Sequence, residues 1–289
     1  MRAEELRRLT DTRLRNPCAI TTAAAVRERA EIAAGGRLLI VAADHPARGV
    51  TRAGAGRGDM SDRAELLDRL RVALSRPGVA GVLGTADILE DLLLLGALDR
   101  KLVFGSMNRG GLSGARFEAD DRFTGYGAAS IAQSRFDGGK MLLRVDLDDD
   151  RSAATLESAA RAVDALRARQ LVAMVEPFMS SRVDGRLVND LSTDAVVASV
   201  GIASGLGGSS AYTWLKLPVV ADMERVAAAT TLPILLLGGE SSDEPERLRE
   251  EWARALDLPT VRGLVVGRSL LYPADDDVAA ATDAAVSLL

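Results

Sequence analysis

The chain has few of the side chains that most often carry metal or nucleophile chemistry: one cysteine, one histidine, and only three lysines among 36 basic residues. A single cysteine, Cys18, excludes an intrachain disulfide, and with one histidine a His/Cys zinc site cannot be assembled. Long apolar runs are also missing; none approaches the roughly 18 residues of a membrane-spanning helix. The opening MRAEELRRLT lacks the continuous apolar stretch of a secretory signal, so cytoplasmic residence is the expectation. A formal charge of −5 supplies no sequence-wide basic field, which argues against nucleic-acid binding.

The scarcity of lysine is the most informative of these absences. Arginine keeps its proton under ordinary conditions, whereas a buried lysine amine can lose its proton and attack a carbonyl. Imine formation is the sharpest use of that property. The three lysines are Lys101, Lys140 and Lys216, and the last two sit in apolar segments. Taken one at a time, each reads first as a lysine that snorkels from a strand end.

What is present describes an ordinary globular chain: 289 residues, 47% hydrophobic and 27% charged, enough to bury a full core. Residues 3–14 and 18–33 read as two helices, interrupted at Asn16-Pro17 and stopped at Gly35-Gly36. Beyond them, short β-rich runs alternate with amphipathic segments. Eight strands are predicted, at 38–43, 79–83, 102–105, 141–145, 171–176, 212–216, 233–237 and 261–267. Ser61 is placed as the N-cap of the first intervening helix, with further helices at 152–168 and 243–255. The GLGGSS run at 205–210 reads as a helix stop. The expected fold is therefore α/β, a (β/α)8 TIM barrel (residues 37–289) with an N-terminal helical extension (residues 1–36). No G-x-G-x-x-G follows the first strand, which excludes the dinucleotide fingerprint.

In such a barrel, function lies at the C-terminal ends of the strands. Polar residues collect there. Strand one ends in Asp44-His45, strand three runs into Ser106-Met107-Asn108-Arg109, strand five ends in Glu176 and strand six in Lys216. Strand four opens with Lys140 and carries Arg144 and Asp146 in the same alternation phase. Capping or solvation at a strand-to-loop junction accounts for Asp44, Glu176 or Asp146 taken singly. Their convergence on one rim, with Lys216 among them and Lys140 near it, instead tunes an amine toward its neutral form. His45 divides evenly between proton transfer and loop orientation. Glycine loops follow the last two strands, at Gly238-Gly239 and at Gly267-Arg268, where barrels hold phosphate.

These segments resemble the class I, Schiff-base aldolases of the superfamily that includes tagatose-bisphosphate aldolase and archaeal-type fructose-bisphosphate aldolase. YTWLKLPVV is similar to the strand-six segment bearing the imine-forming lysine, which implies that role for Lys216. GGKMLLRVD resembles the strand-four segment of the tagatose branch, implying an assisting lysine at Lys140, and VAMVEPF resembles the strand-five segment that ends in an acid/base glutamate, implying that role for Glu176. AADHP is similar to the first-strand segment with its catalytic-site aspartate, Asp44. LLLGGES and LVVGRSLL resemble the phosphate loops, implying phosphate contacts at Gly238, Gly239, Gly267 and Arg268; Arg144 and His45 join the expected substrate-binding set.

Where the archaeal-type enzymes carry a lysine after the strand-seven glycines, this chain has Glu240 and Ser241. The overall pattern is most similar to an actinobacterial aldolase-like family, sometimes labelled deoxyribose-phosphate aldolase or associated with inositol breakdown. The resemblance implies cleavage or formation of a C–C bond in a phosphorylated sugar or sugar acid, with no cofactor and no metal. The expected partner is a small phosphorylated carbohydrate, with neither nucleic acid nor membrane, and self-association is left open. Rival readings are a phosphate-binding barrel isomerase, a Schiff-base dehydratase, or a non-catalytic sugar-phosphate-binding barrel.

Overall fold

In the computed structural model, which describes residues 1–32, 36–53, 58–238 and 245–289, the apolar runs become eight parallel strands. They are β1 (Leu38–Ala42), β2 (Val79–Gly84), β3 (Leu102–Ser106), β4 (Gly138–Val145), β5 (Val172–Val183), β6 (Thr213–Leu217), β7 (Ile234–Leu237) and β8 (Val261–Val266). Each pairs with the next in chain order, and β8 returns to pair with β1. The result is a closed (β/α)8 TIM barrel.

Strand periodicity divides the core in two. Leu38, Ile40, Ala42, Leu102, Phe104, Val172, Met174, Leu235 and Val265 form one cluster inside the barrel. The alternate residues, such as Leu39, Val41, Val103, Ala173, Val175, Leu236 and Val266, join the helices in the outer cluster. The same alternation places Lys140, Glu176 and Lys216 on the inward phase of their strands.

The helices are α1 (Ala3–Arg15), α2 (Cys18–Val26), α3 (Arg63–Ser75), α4 (Ala86–Leu94), α5 (Ala128–Gln133), α6 (Arg151–Arg167), α7 (Thr193–Ser204), α8 (Met223–Ala228), α9 (Pro245–Leu256), α10 (Arg268–Leu271) and α11 (Val278–Val286). The GLGGSS run does stop a helix, since Gly205 is the C-cap of α7. The N-cap of α3 is Asp62 rather than Ser61: its side chain accepts from the Glu65 amide at 2.9 Å, while the Ser61 amide is taken by Asp59 at 2.8 Å. The carboxylate one residue later reaches the third helical amide, the usual capping geometry.

Helix α2 also departs from expectation, ending at Val26 instead of continuing to residue 33. The cause is Arg27, whose buried guanidinium donates to the Leu98, Lys101 and Arg135 carbonyls at 3.3, 2.8 and 2.6 Å. Arg29 then bridges to Lys101 and donates to Asp137 at 2.8 Å, and Ala30 packs on the inner cluster. This segment therefore covers the floor of the barrel, at the N-terminal ends of β3 and β4.

The opposite end is built up. Strand β5 runs past Glu176 to Val183, turns at Asp184-Gly185, and returns as an antiparallel strand at Arg186–Asn189. Both turn residues have positive φ, 50° and 77°, which makes Asp-Gly a fitting pair for this hairpin. The long connection after β3 stands beside it, and Arg182 of the hairpin donates to the Arg116 carbonyl at 2.9 Å.

Candidate active site

Barrel register brings two lysines to one carboxylate. Met174 is paired with both Lys140 and Trp214, so two residues further on Glu176 lies between β4 and Lys216. Lys216 Nζ donates to Glu176 Oε1 at 2.6 Å, and Lys140 Nζ forms an ion pair with Oε2 of the same carboxylate. Lys140 Nζ also lies 3.5 Å from Asp44 Oδ2. All four side chains are buried.

Burial favours the neutral amine at both lysines. For Lys140 it is the largest effect, reinforced by the charges of Arg109 and Lys216, and together they hold the amine well below the ordinary lysine range despite Glu176. Lys216 is lowered by burial against the opposing pull of Glu176, with Arg109 and Arg268 adding to the depression. Burial alone would raise the Glu176 carboxyl, but Lys140, Lys216 and Arg109 override it and keep the group well below the usual carboxylate range. The larger charge effects on Lys216 come from Glu176, Arg109 and Arg268, and the repulsion between the two amines counts among the effects that lower Lys140.

Arg109 and Ser106 complete the cluster, and neither was assigned a role from sequence. Arg109 ion-pairs with Asp44 Oδ2 and donates through Nε to Ser106 Oγ at 3.1 Å, while Ser106 Oγ donates to Asp44 Oδ2 at 3.0 Å. Burial lowers the Arg109 guanidinium to about 10. The available signal was the polar run Ser106 to Arg109 at the end of β3; what it could not reveal is that a buried Asp44 needs a cation from another strand.

The remaining expected residues separate into two groups. His45 follows Asp44 directly, and Gly267 lies against it: a Cβ at position 267 would come within 2.9 Å of His45 Cε1 and 2.4 Å of the Ala42 carbonyl oxygen. Burial and the charges of Arg268, Lys216 and Lys140 keep the His45 imidazole well below its ordinary value, so it is neutral. Gly238 approaches the same loop, with a Cβ there meeting Val266 at 2.6 Å and Ser269 Oγ at 3.5 Å. Gly239 lies outside the described residues, as do Glu240 and Ser241.

Arg144 is placed differently, roughly 13 Å further along β4 than Lys140 at 3.3 Å per residue. Its fork grips Asp121 at 2.9 and 2.5 Å and it also donates to the Glu118 carbonyl, so it ties the β3 loop to the barrel. Asn108 does the same from below: its amide accepts from the Leu142 amide at 2.7 Å and donates to the Leu142 and Asp121 carbonyls at 2.6 and 3.0 Å. Asp146 receives the Asp148 amide at 3.1 Å and shapes the turn before α6.

The chain matches the Cgl0159-like family over residues 36–286. It belongs to that family. A crystal structure of Cgl0159 from Corynebacterium glutamicum superposes with a TM-score of 0.96 at 53% identity, covering 100% of this chain and 97% of the other. Two more distant structures share the barrel with this Cgl0159-like chain. One is a Schiff-base-forming fructose-1,6-bisphosphate aldolase (TM-score 0.65, 18% identity, 93% of this chain and 99% of that one). The other is a fructose-bisphosphate aldolase from Slackia heliotrinireducens (TM-score 0.69, 16% identity, 99% and 88%). At these identities the likeness establishes the fold. No curated protein matches the chain. Among the described residues, no helix is long and apolar enough to cross a membrane.

Proposed function

We propose that this Cgl0159-like protein is a class I aldolase that makes or breaks a C–C bond in a phosphorylated sugar or sugar acid through an imine on Lys216. The observation that carries the reading is the pair of buried, depressed amines sharing one carboxylate inside the barrel. A lysine kept for charge alone gains nothing from such a site, whereas a nucleophile needs its neutral form.

In the proposed reaction Lys216 adds to the substrate carbonyl and Glu176 moves protons as the carbinolamine loses water. The iminium then accepts the electron pair released as the C–C bond breaks. Asp44 receives the proton of the hydroxyl at the carbon being cleaved, and Lys140 biases the Glu176 carboxylate and faces substrate oxygens. Gly238, Gly267 and Arg268, at the ends of β7 and β8, supply the backbone and charge for a phosphate. Arg144, already gripped by Asp121, serves by fixing the loop over the mouth.

Borohydride reduction with ketose, deoxyaldose and deoxy sugar-acid phosphates, fructose 1,6-bisphosphate and 2-deoxyribose 5-phosphate among them, tests the reading. Peptide mass analysis is expected to find a reduced adduct on Lys216 that Lys216→Arg abolishes. An adduct on another lysine, or none with any compound, sinks the assignment.

A further inference from the structure

Two adjacent residues of the site, Asp44 and His45, each present a buried polar atom with no hydrogen-bond partner. Buried polar atoms without partners are rare in folded proteins, and a neighbouring pair of them calls for a ligand group that satisfies both. Asp44 Oδ2 is fully engaged by Ser106, Arg109 and Lys140, but Oδ1 is bare. His45 Nδ1 lies 4.0 Å from that oxygen, too far to bond to it directly.

The spacing suits one interposed oxygen. A hydroxyl about 2.8 Å from each atom fits between two groups this far apart. A carboxylate oxygen can only accept, and a neutral imidazole protonated at Nδ1 can only donate from that atom, so a hydroxyl between them would donate to Asp44 and accept from His45. The backbone preserves the arrangement: Gly267 lets β8 close against the imidazole, since a side chain there would push His45 away.

We propose that Asp44 Oδ1 and His45 Nδ1 together form the hydroxyl subsite of the reaction, with His45 as a catalytic hydrogen-bond donor. The inference rests on the Schiff-base reading. Once the iminium has formed on Lys216, the hydroxyl proton passes to Asp44 Oδ1 and its O–H electron pair becomes the second bond of the new aldehyde carbonyl. The C–C bonding pair moves to the iminium, giving the enamine. His45 N–H holds the oxygen throughout, where charge builds between alcohol and carbonyl. Asp44 lies beside the imidazole, and the charges that act on it from the other elements are those of Arg268, Lys216, Lys140 and Glu176.

The test uses the panel compound that gives the Lys216 adduct and the carbonyl fragment released from it. Enamine formation from that fragment, read as deuterium exchange from solvent, needs Lys216 but no hydroxyl contact. His45→Leu is expected to lower C–C cleavage about 100-fold, the usual cost of one lost donor to a developing oxyanion. Borohydride trapping and exchange stay near wild type, and His45→Asn, whose amide nitrogen can stand where Nδ1 does, recovers much of the cleavage. Wild-type cleavage by His45→Leu, or parallel loss of cleavage, trapping and exchange in both variants, overturns the subsite alone. A wild-type protein that traps nothing overturns the imine reading and the subsite with it.

Discussion

Lys216 is neutral or charged according to a contest between burial, which lowers its affinity for a proton, and Glu176, which raises it. Because burial wins, the neutral fraction rises with pH through a midpoint below the ordinary lysine value near 10.4. Initial rates of borohydride adduct formation, followed against pH, are therefore expected to climb before that value. In Glu176→Gln the raising influence is gone, so the midpoint shifts further down. Turnover in the same variant should fall about 100-fold or more, because the proton shuttle is gone. Adduct formation that outlasts turnover would show the two roles to be separable; an unmoved midpoint would show that Glu176 does not control the amine.

Among the elements, the β3 loop is the one whose position depends most on side-chain anchors. Asn108 imitates a strand residue, exchanging two hydrogen bonds with Leu142 of β4 while holding the Asp121 carbonyl, and Asp121 in turn takes the Arg144 fork. Asn108→Ala removes three buried hydrogen bonds at once. It is expected to cost about 3 kcal/mol in urea denaturation and to open peptide bonds within 109–124 to limited proteolysis. Unchanged cleavage kinetics would mean that Arg144 alone holds the loop. The sequence showed the polar run after β3, yet neither the loop's anchors nor the hairpin that continues β5. Each depends on partners far along the chain, which local periodicity does not report.

For the molecule as a whole, the N-terminal extension is the lower closure of the barrel, and Arg27 is its bolt. Three carbonyls from two different connections converge on one guanidinium that is 3% exposed. Arg27→Ala should lower stability by about 2–4 kcal/mol, and hydrogen exchange should quicken at the starts of β3 and β4 before the outer helices respond. Exchange confined to α1 and α2 would contradict a floor-sealing role. The sequence by itself determined the barrel, because eight short apolar runs buried on both faces have few other ways to pair. It also marked Lys216, Glu176, Asp44 and Lys140, because charges at the ends of such runs stand out. Only the tertiary structure decided that the two lysines share one carboxylate, that Arg109 and Ser106 belong with Asp44, and that Arg144 holds a loop. Those facts depend on distances across the barrel, and register and closure, rather than order along the chain, set such distances.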